Sequence, residues 1–136
     1  MTFDELLAAV SQRLTELGFI RSAEDIAGPM GSARIRFSSD LTDVELHNDR
    51  GLLSMSAGRT GAPTYGCRVW ADLLGADLDD DPDVSLQTKF LLGHLGEIEQ
   101  WIRLDPHIDE RLRDLNWSLV KEHLGLDPDM PGPGDR

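Results

Sequence analysis

Eight residues in the second half of the chain, with the sequence ADLDDDPD, contain five carboxylates and no lysine or arginine. A cluster of this kind could hold a cation, bind a basic partner, or lie in solvent at the start of a helix. Each possibility makes a different demand on the residues around the cluster. The carboxylates are those of Asp77, Asp79, Asp80, Asp81 and Asp83.

The spacing of these aspartates matches only the first part of a calcium-binding EF-hand loop. Pro82 lies where a glycine must make the sharp turn, and Thr88 lies where a bidentate glutamate must complete the ligand shell. Residues 79–83 also fit the DDxxD pattern of isoprenoid synthases, but those enzymes need a large all-helical cavity and a second acidic motif. We therefore predict no metal site and no cofactor.

The other side chains that could take part in catalysis do not form a known motif. H-E-x-x-H, G-x-S-x-G, Walker and G-x-G-x-x-G patterns are absent from the sequence. The single cysteine, Cys67, lies between strand-like residues and is expected to be a small buried hydrophobe. We predict no catalytic residue, and an enzyme is the least favoured class. The alternative to a protein-binding module is a small-molecule or regulatory domain with a pocket between sheet and helices, lined by Trp70, Cys67 and His47.

The net charge of −12 is distributed unevenly along the chain. Residues 1–71 contain nine acidic and seven basic side chains, whereas residues 72–136 contain sixteen and six. This field opposes nucleic acid and anionic membranes, and it favours a basic protein partner. Helix capping accounts for Asp81 and Asp83 at most. Two interpretations of the cluster stay open, a solvated loop and a surface for a basic protein, and so does a homodimer.

The N-terminal half predicts one helix and an antiparallel meander that would position these groups. Residues 2–5 form a capping box, and an apolar stripe of helical period continues to residue 17 before a stop at Gly18. A short strand at 19–20 and a polar loop through residue 31 follow.

Strict alternation of apolar and polar residues then predicts strands at 33–37, 43–47 and 53–57, with a turn at 48–51. On the polar face, two arginines are expected opposite two acids and a histidine, as cross-strand partners before ligand binders. These residues are Arg34, Arg36, Asp43, Glu45 and His47.

The C-terminal half predicts a strand at 65–69, a single helical turn at 70–74 and two longer helices. The first helix is expected at 83–103, and the second starts at Asp105-Pro106, so that the two form a hairpin. The first contains Gly93 and Gly96, which indicate either close packing against a neighbour or a break near residue 93.

Together these elements predict an α+β fold: an N-terminal helix, an antiparallel meander of three to five strands, and a C-terminal helical hairpin on one face of the sheet. Residues 1–125 would form one domain and residues 126–136 a flexible Pro/Gly/Asp tail. The acidic N-terminus is unlike a signal peptide, and no apolar run is long enough to span a membrane, so we expect a cytoplasmic protein.

The layout VELHNDRGLLSMSAG, YGCRVWADLLG, acidic loop and FLLGHLGEIEQWI resembles small acidic immunity proteins of bacterial toxin systems, of the type found in actinomycetes. The resemblance covers about residues 40–103 and has no diagnostic motif, so it transfers no functional residue. It implies a non-enzymatic protein that binds and blocks a cognate toxin.

Overall fold

The computed structural model describes residues 2–27 and 32–131, with the side chains of 22–27 left out of the description. The helices are α1 (Phe3–Glu16), α2 (Cys67–Leu74), α3 (Val84–Gly93), α4 (Leu95–Leu104) and α5 (Ile108–Leu124). The strands are β1 (Ile20–Ala27), β2 (Ser32–Ser38), β3 (Thr42–Asp49), β4 (Leu52–Arg59) and β5 (Tyr65–Gly66). They form one antiparallel sheet in the order β1-β2-β3-β4-β5. The predicted α+β class, with a helix, a meander and then further helices, is confirmed.

The first helix begins and ends where its sequence predicts. The Glu5 backbone N–H donates to the Thr2 hydroxyl over 3.2 Å, which satisfies one of the free donors of the first turn. Gly18 follows the helix with φ at 90°, a conformation that a glycine adopts without steric strain.

Strand β1 is longer than the sequence predicts. The strand was expected only at 19–20, followed by a polar loop, but it runs from Ile20 to Ala27 along β2, with a bulge between Arg21 and Ala23. This edge strand is held by main-chain hydrogen bonds to one neighbour, and it therefore lacks the apolar alternation of an inner strand. The last part of the predicted loop, residues 28–31, lies outside the described residues.

Helix α2 also differs from its prediction. The strand expected at 65–69 stops at Gly66, and the helix starts at Cys67 rather than at Trp70. Cys67, Val69, Trp70 and Ala71 are all buried, so this apolar run is the inner face of a helix and not a strand. The periodicity of so short a run cannot distinguish the two structures.

The continuous helix predicted for 83–103 is wrong, and the alternative break near residue 93 is correct. Helices α3 and α4 meet at His94, which is the C-cap of one and the N-cap of the other. Gly93 and Gly96 are exposed, and a Cβ atom at either position would meet nothing within 4 Å. Close packing therefore does not explain these glycines.

One apolar core joins the sheet to the helices. The inner face of the sheet contributes Ile35, Phe37, Val44, Leu46, Met55 and Ala57. The helices contribute, among others, Leu6, Val10, Leu14, Trp70, Phe90, Leu91, Ile98 and Leu112. Trp70 is fully buried, and its indole N–H donates to the Ala57 carbonyl over 2.8 Å, so its polar group is satisfied.

The start of the predicted tail lies along α5. The Trp117 indole N–H and the Lys121 ammonium both donate to the Met130 carbonyl, and Lys121 also reaches the Pro128 carbonyl. Residues 132–136 lie outside the described part, and flexibility of the tail stays a prediction. Among the described helices, none combines the length and the apolar character that crossing a bilayer requires.

Candidate functional site

The acidic segment, defined here as residues 76–83, joins α2 to α3 and shows its carboxylates to solvent. Ala76, Leu78 and Pro82 are half-buried, and Ala76 and Leu78 pack against the core. All five aspartates are exposed. The apolar side chains of Ala76 and Leu78 therefore anchor the segment to the core, whereas its aspartate side chains are exposed to solvent.

Arg68 holds the segment by its backbone. Its guanidinium donates to the main-chain carbonyls of Leu78 and Asp79, and it also pairs with Asp72 one helical turn away, over 3.8 Å. The nearest cation to the segment thus contacts carbonyl oxygens and a carboxylate of α2. It does not pair with the segment's own carboxylates.

Gln87 fixes the other end of the segment to the sheet. Its amide nitrogen donates to the Pro82 carbonyl over 3.0 Å, and its amide oxygen accepts the Met55 backbone N–H over 2.9 Å. Met55 lies on β4 outside the two residues that pair with β5, so its backbone N–H meets no β5 residue at this edge of the sheet. The Gln87 side chain satisfies this N–H and also positions the segment.

Only one of the five carboxylates has an internal structural role. Asp83 is the N-cap of α3 and accepts the Leu86 backbone N–H over 2.9 Å. The sequence also allows capping by Asp81, but in the structure the N-cap of α3 is Asp83. No hydrogen bond or ion pair joins the other four side chains to any of the described residues, and these four are Asp77, Asp79, Asp80 and Asp81.

The segment is not arranged like a cation site. Across residues 2–27 and 32–131, no group of three or more His, Cys, Asp or Glu side chains is placed to hold a metal ion. The outward direction of the aspartates keeps their oxygens from converging. Their arrangement suits contacts with a surface that approaches from outside.

A second concentration of charge lies on the outer face of the sheet, opposite the core. Glu45 is 5% exposed, and its carboxylate pairs with Arg36 over 3.3 Å and with Arg34 over 3.6 Å. The cross-strand pairing predicted for these arginines is confirmed, but the acids are buried rather than solvated. The loop before β5 covers them, because Thr64 donates to Glu45 and the Gly61 backbone N–H donates to Asp43.

Hydroxyl groups connect this ion cluster to His47. A carboxylate only accepts, so Thr64 donates to Glu45 over 2.7 Å and Ser56 donates to Thr64 over 2.8 Å. Ser56 then accepts from Nε2 of His47 over 2.9 Å. The Ser56 proton points away from the imidazole, so the pair does not form an activated nucleophile of the Ser–His type. Burial lowers the pKa of His47, with Arg34 acting in the same direction and Glu45 opposing both.

The three residues proposed to line a ligand pocket do not come together. Cys67 and Trp70 are buried in the core, whereas His47 lies on the outer face of the sheet. Burial also raises the pKa of the Cys67 thiol to about 12, which leaves very little thiolate at neutral pH.

Sequence reasoning found the aspartates but missed the residues that hold them. Arg68 and Gln87 act through contacts 5 to 32 residues away in the chain, and no local pattern marks such contacts. Thr64 was missed for the same reason. The only sequence signal was the lack of a basic residue within the segment, which left its carboxylates without a local partner.

Comparison with known proteins assigns no family. No protein-family model, no curated protein and no solved structure matches this chain.

Proposed function

We propose that this chain is a non-enzymatic protein that binds a basic protein through its acidic segment. In its specific form the proposal is an immunity-type protein that neutralises a basic toxin in the cytoplasm. The observation that carries it is the exposure of four aspartates, without an internal cation, on a segment that Arg68 and Gln87 hold in place.

The anchoring of the segment favours binding over simple solvation. A solvated loop needs no fixed shape, whereas a charged surface that is ordered before binding loses less conformational entropy when a partner arrives. The excess of acids in residues 72–136 adds a long-range attraction that speeds the encounter with a basic protein. An array of carboxylates can also occupy the groove in which a nuclease toxin binds phosphates.

Charge reversal of the segment tests the proposal. The chain would be purified at about 50 mM salt with the basic protein that it retains, and affinities would be measured by calorimetry. Since the attraction is electrostatic, the complex should dissociate above about 0.5 M salt, where the screening length is only a few ångströms. The triple variant Asp79→Lys, Asp80→Lys, Asp81→Lys should weaken binding by at least about 100-fold, because like charges then face each other.

A matched control separates local from general charge effects. The variant Glu16→Lys, Asp40→Lys, Glu122→Lys changes the net charge equally at three exposed positions outside the segment. It should weaken binding much less. Equal affinities for the wild type and the segment variant would refute the proposal, as would the failure of any basic protein to be retained.

A further inference from the structure

A groove lies where α4 ends and α5 begins, outside the acidic segment. It has a volume of about 470 Å³, in the range of sites that hold a small molecule or a large side chain. Its lining residues are Glu97, Gln100, Trp101, Leu104, Asp105 and Arg111.

The groove combines an apolar surface with a free indole donor. Leu104 is 69% exposed and Trp101 is half-buried. The indole N–H groups of Trp70 and Trp117 donate to backbone carbonyls, whereas that of Trp101 has no partner among the described residues. Trp101 is therefore the tryptophan that offers its ring and its donor to a ligand.

The charges around the groove favour a cation. Arg111 is already paired with Asp105, so the positive charge in the lining is neutralised. The His107 backbone N–H, and then Arg111, keep the pKa of Asp105 below its usual value, so this carboxylate stays ionised at neutral pH. Glu97 remains 58% exposed, and within the described part of the chain its one polar contact is with the His94 imidazole, over 2.9 Å. Because Asp105 and Arg111 neutralise each other, Glu97 gives the lining its net negative charge, so an anionic ligand is disfavoured.

We infer that this groove binds an arginine side chain of a basic protein partner. A guanidinium is planar and weakly hydrated, so it stacks on an indole ring while its N–H groups reach a carboxylate. In this arrangement the guanidinium lies on Trp101, its N–H groups donate to Glu97, and its aliphatic stem contacts Leu104. This contact goes beyond the acidic segment, because it recognises one kind of side chain by its planar shape together with its charge, whereas the segment attracts a surface by charge alone.

The test follows the three tryptophan indole N–H resonances by ¹⁵N NMR during titration with the peptide acetyl-Gly-Arg-Gly-amide. The Trp101 resonance should shift and saturate at millimolar peptide, and those of Trp70 and Trp117 should not move. Glu97→Gln should weaken binding about tenfold, because a neutral amide replaces the carboxylate that pairs with the guanidinium. Glu110→Gln, an exposed acid on α5 outside the lining, should leave it unchanged.

Two further ligands identify the chemistry and its source. The same peptide with citrulline, which has the shape of arginine without its charge, should not shift Trp101. Free arginine should bind no more tightly than the peptide, since its α-carboxylate and α-ammonium groups add no net charge to that of the guanidinium. Equal shifts with citrulline, tighter binding of free arginine, or no shift at 20 mM peptide would overturn the inference. The charge-reversed acidic segment should still bind the peptide, so failure here is distinguishable from failure of the proposed function.

Discussion

At the scale of single residues, the fold gives His47 an environment that changes how its imidazole titrates. It lies at the end of a hydroxyl chain that starts at the buried Glu45, and Arg34 is nearby on the adjacent strand. Burial and Arg34 disfavour the imidazolium, while Glu45 favours it. Burial has the largest effect, so the folded state holds a proton less tightly than the unfolded state.

This lowered pKa predicts a loss of stability in mild acid. The favourable contribution is fully present above the unfolded pKa of about 6.5. It is lost as the pH falls through the lower folded pKa, because the unfolded chain then binds more protons. The variant His47→Gln keeps a donor near Nε2 and removes the titration. Urea denaturation between pH 8 and pH 5 should therefore show a smaller loss for the variant than for the wild type, and parallel curves would contradict the assignment.

The sequence predicted these outer-face residues but not their environment. Period-two alternation put the arginines, acids and His47 on one face, which is correct. The burial of Asp43 and Glu45 depends on Thr64 and the rest of the loop from 60 to 64, which folds back over β3. A fold-back of this kind is set by packing between elements and leaves no periodic signal in the chain.

At the scale of elements, the close approach of the loop before β5 to the sheet depends on one residue without a side chain, Gly58. A Cβ atom at Gly58 would lie 2.5 Å from the Pro63 carbonyl oxygen, well inside van der Waals contact. The same loop presents the Thr64 hydroxyl to Glu45. The absence of a side chain at this position thus allows the outer-face cluster to be covered.

Two glycine substitutions should therefore have opposite effects. Gly58→Ala should lower the free energy of unfolding by about 1–3 kcal/mol, because the loop must move away from β4. Gly96→Ala should raise it by about 0.5–1 kcal/mol, since this exposed helical position has no neighbour within 4 Å. Urea denaturation of both variants measures the difference. Destabilisation of both to the same extent would argue against the close approach at Gly58.

Element boundaries were predictable where local chemistry marks them. Thr2 and Gly18 bracket α1, and the polar residues at 48–51 form the β3–β4 turn, in which Arg50 and Gly51 have positive φ. Strand β1 and the start of α2 carried no such marks. Strand β1 is defined by its pairing with β2, and the start of α2 is defined by the burial of its apolar side chains. Both depend on residues outside the element itself.

At the scale of the whole molecule, charge and stability act against each other. The chain carries a net charge of −12, and its most crowded carboxylates lie in the acidic segment, where four of the five have no partner among the described residues. Repulsion between them and the other acidic side chains opposes folding, because a compact state brings charges of one sign closer together than an unfolded chain does. Such a surface is consistent with the function proposed above and unfavourable for stability.

Neutralising the segment should therefore stabilise the fold at low salt. For Asp79→Asn, Asp80→Asn, Asp81→Asn we expect an increase on the order of 0.5 kcal/mol at 10 mM salt, where charges interact over about 30 Å. The increase should disappear near 1 M salt. The control Glu16→Gln, Asp40→Asn, Glu122→Gln removes as much charge from separate exposed sites and should gain less. A gain that persists at high salt would point to a cause other than repulsion.

The meander has a consequence for the order in which the chain is assembled. Every strand pairs with the strand that precedes it, and the sheet is complete by residue 66. Trp70, Phe90 and Leu112, which complete the core on its inner face, are translated only afterwards. During synthesis on the ribosome, the segment that contains α1 and all five strands is therefore complete before the helices that cover the rest of its apolar face have been translated.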